Sequence, residues 1–221
     1  MSQPDLFLHR EGPVAHLVLN RPHARNAITQ AMMIAIPQLV AEVAADDALR
    51  VLVVRGIDAT AFAAGADIAE FERVYATAEA ARASSLAFER AMQAVADLAK
   101  PTVAMIQGPC VGGGCALALA CDLRFADTNA RFGVPPAKLG LTYPVAETRR
   151  LVSAVGLPRA KDLLFSGRLV DAHEALRIGL VDRIVAPEAL AAETGAWIAT
   201  VAQNSRASHN AAKIVLQRMV M

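Results

Sequence analysis

Two loops of small residues could together bind an oxygen atom that becomes negatively charged during a reaction. One is Ala64-Gly65-Ala66, and the other is the triplet Gly112-Gly113-Gly114, which opens a helix. The first backbone N–H groups of a helix have no partner within it and carry partial positive charge. Each loop follows an apolar segment typical of a buried strand, and ligands bind beyond the carboxyl ends of parallel strands. One N–H group from each loop could therefore converge on a single carbonyl oxygen.

A pair of converging N–H donors would favour chemistry on a thioester. The donors polarise the carbonyl group and stabilise the enolate that forms when the α-carbon loses a substituent. The alternative is that the glycines only let the helix pack closely against the preceding strand. The glycine-rich segment by itself leaves both interpretations open.

The elements that would position these loops alternate between strands and helices. A hairpin pattern begins the chain, and Thr29 can cap the first long helix. Pro37 within that helix predicts a kink or a late start, and a break is expected near Ala76-Thr77. Strands are expected at residues 6–9, 14–19, 51–54, 102–106, 123–126, 130–132 and 181–185. Helices are expected between Thr29 and Asp46 and at 70–100, 115–120, 144–155, 158–165, 171–178 and 188–221. This order predicts an α/β fold with much parallel pairing.

Charge and hydropathy argue against several classes of function. The 221 residues carry a formal net charge of +1, which argues against binding to nucleic acid or to an anionic membrane surface. The apolar segment 102–121 is interrupted by Gln107, Pro109 and glycines, so we do not expect it to span a membrane. With 55% hydrophobic residues, the chain can build a large core and a wide subunit interface.

The cysteines predict a reducing compartment and no metal site. They are odd in number, lie in one apolar segment and match no zinc-binding pattern. They are Cys110, Cys115 and Cys121. Residues 1–5 lack the features of a signal peptide. We therefore expect buried, reduced thiols, no bound metal and a cytoplasmic location.

Five ordered motifs resemble those of the crotonase superfamily, the enoyl-CoA hydratase/isomerase group. They lie within residues 19–27, 62–68, 108–122, 132–141 and 167–181. The third is the most distinctive and reads Gly108-Pro-Cys-Val-Gly-Gly-Gly-Cys-Ala-Leu-Ala. The resemblance implies a spiral of ββα units over residues 1–190. A helical segment, shorter than usual for the family, is expected to follow at 191–221.

The resemblance also implies a site and a substrate class. The substrates would be acyl-CoA thioesters, and no cofactor would be needed beyond the coenzyme A of the substrate. The protein would assemble as a homotrimer or homohexamer. The N–H groups of Ala66 and Gly113 would form the oxyanion pair. The residues implied to line the coenzyme A site are Arg25, Ala27, Ala64, Asp67 and Ile68. The Arg25 guanidinium could pair with a phosphate, or it could be an ordinary solvated surface charge.

The sequence departs from the resemblance at both catalytic glutamates. Hydratases of the family use two glutamates as general acid and base on one water molecule. Their positions correspond here to Ala116 and Pro136, and neither residue can transfer a proton. The departure argues against two-glutamate hydration, and isomerisation by a single glutamate would lose its base at Pro136.

Two residues near these positions are candidate proton-transfer groups. Tyr143 resembles a tyrosine of the methylmalonyl-CoA decarboxylase branch, although that branch has a histidine where this chain has Ala66. Alternatively, the Tyr143 ring packs on the helix and its hydroxyl bonds to the backbone. Glu147 follows one helical turn later, so the two side chains could share a face. It is either a displaced acid/base or a surface partner of Arg150.

Several functions therefore remain as hypotheses. We favour a lyase step such as decarboxylation, because it needs an enolate but no strong base. The alternatives are an ordinary enoyl-CoA hydratase/isomerase that uses Glu147 or Tyr143, a non-catalytic acyl-CoA-binding homologue, and a thioester hydrolase in which Glu147 activates water.

Overall fold

The computed structural model describes residues 3–220, which form strands and helices in alternation. The strands are Leu6–Glu11 (β1), Val14–Leu19 (β2), Val51–Gly56 (β3), Thr102–Ile106 (β4), Pro109–Val111 (β5), Leu123–Asp127 (β6), Arg131–Gly133 (β7), Leu169–Asp171 (β8) and Arg183–Val185 (β9). The helices are Gln30–Ala45 (α1), Phe71–Val74 (α2), Ala78–Asp97 (α3), Gly113–Ala120 (α4), Val145–Val155 (α5), Leu157–Ser166 (α6), Ala172–Ile178 (α7), Leu190–Gln203 (α8) and Arg206–Val220 (α9). The α/β prediction is confirmed.

Two sheets organise the chain. The larger sheet has the strand order β1-β2-β3-β4-β6-β9, and every pair in it except the β1–β2 hairpin is parallel. The smaller sheet has the order β5-β7-β8, in which β5 and β7 are parallel and β8 is antiparallel to β7. Because β5 follows β4 directly, the smaller sheet places the start of α4 beyond the carboxyl end of a central strand.

Both faces of the large sheet are covered at its centre. The residues of β3 from Val51 to Val54 are fully buried, as the continuous apolar segment predicted. One face packs on the main core, to which α1, α3 and α4 contribute. The other face packs against Leu190 and Ile198 of α8.

Side-chain caps fix several helix starts. The Thr29 hydroxyl accepts a hydrogen bond from the Met32 N–H at 3.2 Å, and Thr77 caps α3 in the same way through Ala80. The predicted break between helices is therefore confirmed, and its cause is a new cap at Thr77.

Pro37 does not delay α1. The expected late start is wrong, because the helix runs from Gln30 to Ala45 with Pro37 inside it. The apolar face of α1 packs into the core, and this burial offsets the hydrogen bond that proline cannot donate. The buried residues of that face are Met32, Met33, Ile36, Val40 and Val43.

The three cysteines are free and buried, as predicted for core thiols. Burial raises the pKa of the Cys121 thiol to about 12, and burial next to Cys115 raises that of Cys110 well above its ordinary value. Within residues 3–220, no helix is both long and apolar enough to cross a membrane.

Candidate active site

A cleft of about 400 Å³ opens over the two small-residue loops. Gly65 and Ala66 line it from the first loop, and Gly112 and Gly113 from the second. One wall comes from α1, α2 and α3, and the opposite wall from residues between 135 and 144. The loops thus meet at one cavity, as their positions after parallel strands predicted.

The backbone hydrogen bonds beside Ala66 are made by Gly65 and Asp67, so the Ala66 N–H group points away from the segment that contains Ile28. Ile28 donates to the Gly65 carbonyl at 2.7 Å, and Asp67 donates to the Ile28 carbonyl at 3.0 Å. These two bonds form an isolated parallel bridge between Ile28 and Ala66, in which Ala66 uses neither of its own backbone groups. Its N–H makes no hydrogen bond to any described residue.

Gly113 also carries an unused N–H group. The Gly112 N–H before it donates to the Gly133 carbonyl at 2.8 Å, and the first bond of α4 runs from Ala116 N–H to Gly112 at 3.0 Å. Gly113 is the first residue of α4, so its N–H has no intrahelical acceptor, and no other described residue accepts from it.

The two loops are held side by side by backbone bonds. Ala63 donates to the Pro109 carbonyl at 3.0 Å and accepts from the Val111 N–H at 2.9 Å. The approach is so close that a Cβ on Gly114 would collide with the Ala63 carbonyl oxygen. A Cβ on Gly113 would lie 3.4 Å from the Ala66 nitrogen and 3.4 Å from Cε2 of Phe88. Two free amides therefore border one small space that could hold an oxyanion.

Asp67 is tied into a network behind the first loop. Its carboxylate accepts from Arg21 Nη1 at 2.8 Å and from the Ala69 N–H at 3.0 Å. Arg21 also donates to the Ala27 carbonyl at 2.6 Å. Arg21 was not among the predicted site residues, although it lies within the first motif. Arg21 therefore joins the segment at Ala27 to Asp67, the residue that follows Ala66.

The other carboxylate that lines the cleft is also engaged. Glu70 accepts from the Gln30 N–H at 2.6 Å and pairs with Arg73 at 2.7 Å. The Ser84 hydroxyl donates to the Gln30 side chain at 2.9 Å. Asp67 and Glu70 are the carboxylates among the described residues that line the cleft, and each already forms an ion pair with an arginine side chain.

Tyr143 is one of the residues that line the cleft, but its hydroxyl is buried without a hydrogen-bond partner among the described residues. Burial, followed by the proximity of Cys115 and Glu147, raises the pKa of the Tyr143 hydroxyl well above its ordinary value. The phenol therefore remains protonated at neutral pH. The interpretation in which this hydroxyl bonds to the backbone is wrong, because it bonds to no backbone group.

Glu147 lies deeper than the sequence suggested. Its side chain is fully buried, one carboxylate oxygen accepts from Arg150 at 2.9 Å, and the other has no partner among the described residues. The expected ion pair with Arg150 exists, but its placement on the surface is wrong. Glu147 is not among the residues that line the cleft.

Comparisons with known proteins decide the family. The sequence profile described as enoyl-CoA hydratase/isomerase matches residues 9–221. The chain belongs to the enoyl-CoA hydratase/isomerase family. The crotonase resemblance predicted from the motifs is thereby confirmed, together with the fold.

Relatives of the enoyl-CoA hydratase/isomerase family match most of the chain. A crotonyl-CoA hydratase of Syntrophomonas wolfei is 37% identical over 87% of this chain and 74% of its own length. A short-chain-enoyl-CoA hydratase of Clostridium acetobutylicum is 36% identical over 86% of this chain and 72% of its own length. A protein of Hyphomonas neptunium assigned to the same family is 45% identical and superposes with a TM-score of 0.95, covering 98% of this chain and 82% of its own.

This member of the enoyl-CoA hydratase/isomerase family has no carboxylate at either predicted glutamate position. Ala116 is fully buried within α4, and Pro136 lines the cleft at the start of a short 3₁₀ turn, Pro136–Leu139. The space around Gly113 is instead bordered by Phe88 of α3, which the sequence analysis missed. The spacing of α3 offered no signal for Phe88 beyond its place on the apolar face.

The residues expected to contact coenzyme A are only partly gathered at the cleft. Ala64, Asp67 and Ile68 line it, whereas Arg25 and Ala27 do not. Arg25 lies next to it, because its carbonyl accepts from the Ala64 N–H at 3.0 Å. Its side chain is exposed, and its backbone adopts the left-handed region with φ of 50°.

Proposed function

We propose that this family member acts on acyl-CoA thioesters through an enolate, and that its reaction is a lyase step such as decarboxylation. One observation carries the proposal. The cleft contains two amide N–H groups without acceptors among the described residues, while its two carboxylates, Asp67 and Glu70, already pair with arginines. An enolate needs the amides, whereas addition of water to a double bond needs a free acid and base. Decarboxylation needs no base, because the leaving carboxylate supplies the electron pair.

The proposed reaction uses three groups of the chain. The thioester oxygen lies between the N–H groups of Ala66 and Gly113. Carbon dioxide leaves, and the electron pair of the broken C–C bond moves into the enolate. Tyr143 donates its proton to the α-carbon, and the resulting phenolate then takes a proton from solvent. Each amide donor is worth about 2.7–4 kcal/mol of barrier in comparable sites.

The proposed position of coenzyme A follows from the same loops. Ala64 presents little bulk, and the exposed Ile68 side chain is apolar, so pantetheine can lie along this segment. The exposed Arg25 guanidinium next to them can pair with a phosphate. We propose that Asp67 acts indirectly, because its carboxylate is already held by Arg21.

Incubation with malonyl-CoA, methylmalonyl-CoA and crotonyl-CoA, followed by mass analysis of the products, tests this proposal. We expect the malonyl-type thioesters to lose carbon dioxide and crotonyl-CoA to remain largely unchanged. Acyl-CoA binding without conversion of any thioester would instead support a non-catalytic acyl-CoA-binding protein.

Hydration is the second candidate, and the relatives favour it. The matching proteins of Syntrophomonas wolfei and Clostridium acetobutylicum are named hydratases. Hydration in this chain would have to use Tyr143 or Glu147 for proton transfer, because Ala116 and Pro136 cannot. Formation of 3-hydroxybutyryl-CoA from crotonyl-CoA, abolished by Tyr143→Phe or Glu147→Gln, would support this candidate.

A further inference from the structure

The edge of the Phe88 ring lies beside the space that would hold the oxyanion. A Cβ added to Gly113 would lie 3.4 Å from Cε2 of Phe88 and 3.4 Å from the amide nitrogen of Ala66. One small volume is therefore bordered by backbone amides on one side and by an aromatic ring on the other. The ring has no group that can transfer a proton, so Phe88 can act on a substrate only through its shape.

Phe88 is the bulkiest side chain that α3 contributes to the cleft. The other residues of α3 that line the cleft are Ser84 and Ser85, which lie one helical turn before it. One turn after it, Ala91 and Met92 are fully buried in the core. Phe88 itself is half-buried and packs against that core, which restricts the movement of its ring. The ring therefore forms a fixed apolar wall at the place where α3 passes the oxyanion site.

The part of a thioester that meets this wall follows from the position of its oxygen. The α-carbon and the sulfur are each two bonds from the carbonyl oxygen, so both lie close to any group that borders that oxygen. Pantetheine is proposed to lie along Ala64 and Ile68 of the first loop. The acyl side then faces the second loop and α3, and the ring meets the α-carbon rather than the far end of an acyl chain.

The space beside the ring is small. Between the Gly113 backbone and the ring there is room for one non-hydrogen atom at contact distance, as the position of the added Cβ shows. Malonyl-type thioesters differ in the substituent of the α-carbon, which is hydrogen in malonyl-CoA, methyl in methylmalonyl-CoA and ethyl in ethylmalonyl-CoA. One methylene group more or less in an apolar pocket changes kcat/KM by about 10- to 200-fold.

We propose that Phe88 sets the largest substituent that the α-carbon can carry and restricts the protein to thioesters with hydrogen or methyl at that position. This inference rests on the proposed function for its acyl-CoA ligand. Phe88 is a specificity-determining residue, because its ring contacts the α-substituent and takes no part in breaking or forming a bond.

Two substitutions of opposite size test the inference with malonyl-CoA, methylmalonyl-CoA and ethylmalonyl-CoA. In the unaltered protein, kcat/KM for carbon dioxide release should be about tenfold or more lower for ethylmalonyl-CoA than for methylmalonyl-CoA. Phe88→Ala should remove most of that difference. Phe88→Trp should lower kcat/KM for methylmalonyl-CoA relative to malonyl-CoA by about tenfold. An unchanged preference in both variants would overturn the inference.

A preference between substrates separates this role from a structural one. If Phe88 only stabilised the fold, its loss would slow the three thioesters by the same factor. Leu86→Ala is the matched control, because Leu86 is exposed on the same helix and does not line the cleft. It should leave the preference unchanged. Should Phe88→Ala fail to fold, Phe88→Leu keeps an apolar side chain in the core and should shift the preference in the same direction.

A binding measurement distinguishes failure of this inference from failure of the proposed function. Isobutyryl-CoA and 2-ethylbutyryl-CoA carry saturated α-branches and no carboxylate, so calorimetric titration reports the size limit without any reaction. The unaltered protein should bind isobutyryl-CoA about tenfold or more tightly than 2-ethylbutyryl-CoA. Phe88→Ala should bind the two with similar affinity and should bind free coenzyme A as the unaltered protein does.

The combined results assign each failure to one proposal. If no malonyl-type thioester loses carbon dioxide but the binding preference is present and depends on Phe88, the proposed lyase reaction is wrong and the size limit stands. If carbon dioxide is released and neither preference responds to Phe88→Ala, the inference about Phe88 alone is wrong. A changed affinity for free coenzyme A would place the ring beside the sulfur and would also overturn it.

Discussion

A methyl group on the α-carbon of Gly113 would lie 3.4 Å from the amide nitrogen of Ala66. The first residue of α4 therefore lies next to the loop 64–66, which comes much earlier in the sequence. At that distance the methyl group would make van der Waals contact with the nitrogen and would take up space that the proposed oxyanion needs.

Gly113→Ala should therefore abolish most of the activity while preserving the fold. The methyl group would occupy the place of the thioester oxygen, so we expect kcat to fall about 100-fold or more, or ~2.7–4 kcal/mol of barrier. Gly113 does not have a positive φ, so alanine is compatible with its backbone. Steady-state rates and thermal unfolding of the variant check both statements.

Gly195→Ala is the matched control for that substitution. Gly195 lies inside α8 with nothing within 4 Å of an added Cβ. We expect unaltered kcat and a free energy of unfolding that rises by about 0.5–1 kcal/mol, because alanine suits a helix interior better. Full activity in Gly113→Ala would remove Gly113 from the proposed mechanism.

Tyr143→Phe should separate activity from stability. The hydroxyl has no partner among the described residues, so its removal breaks no hydrogen bond with them. The removal also relieves the cost of burying a polar group that is not hydrogen-bonded. We expect the free energy of unfolding to stay the same or to rise by about 1 kcal/mol, while carbon dioxide release falls about 100-fold. Urea denaturation and product analysis measure the two effects. A marked loss of stability with normal turnover would indicate a purely structural tyrosine.

Arg21→Met should weaken both the fold and substrate binding. Arg21 donates to the Asp67 carboxylate and to the Ala27 carbonyl, and its side chain is only 14% exposed. Loss of these bonds should lower the free energy of unfolding by about 2–3 kcal/mol. Because the Asp67 loop carries Ala66, KM for acyl-CoA should rise as well.

Arg10→Ala provides the comparison for Arg21. Arg10 pairs with Asp46 at 2.7 Å, but its side chain is 53% exposed. An exposed pair of this kind contributes about 1 kcal/mol at most, so this variant should keep a normal KM. Equal losses of stability in both variants would contradict the structural role given to Arg21.

His16 should make the protein less stable in mild acid. Burial, followed by the positive charge of Arg55, lowers its pKa from 6.5 to about 4. The unfolded chain therefore binds a proton before the folded protein does, and stability is lost as pH falls from 6.5 toward 4. The loss reaches about 3 kcal/mol at the low end of this window.

His16→Gln should reduce that dependence on pH. Chemical denaturation at several pH values between neutrality and the lower pKa gives the slope for each protein. The variant should lose less stability across the window than the unaltered chain. Identical slopes would mean that His16 titrates in the folded protein as it does when unfolded.

Local sequence patterns predicted most of the secondary structure. The hairpin, the Thr29 cap, the break before α3 and the bounds of β4 all follow from residues that lie close together in the chain. The strands β5 and β8 were missed, because each has three residues and forms through pairing with β7. The continuity of α1 through Pro37 depends on tertiary packing that no local pattern contains.

The candidate site was also predictable from the sequence only in part. The two amide loops could be identified from sequence, because glycines and small residues at a strand end encode a backbone feature. The burial and the hydrogen bonds of the side chains could not be identified from the sequence. The bond between Arg21 and Asp67 spans 46 positions, and the burial of Glu147 depends on how α5 packs on α4.

The ratio of two rates in one reaction mixture tests the central claim most directly. Equal concentrations of methylmalonyl-CoA and crotonyl-CoA would be given to the unaltered protein, and propionyl-CoA and 3-hydroxybutyryl-CoA would be quantified over time. We expect propionyl-CoA to dominate, because among the described residues the cleft offers two free amides with the Tyr143 phenol buried beside it, whereas both of its carboxylates already pair with arginines. Dominant formation of 3-hydroxybutyryl-CoA would contradict an enolate lyase and show that water is activated without the two glutamates.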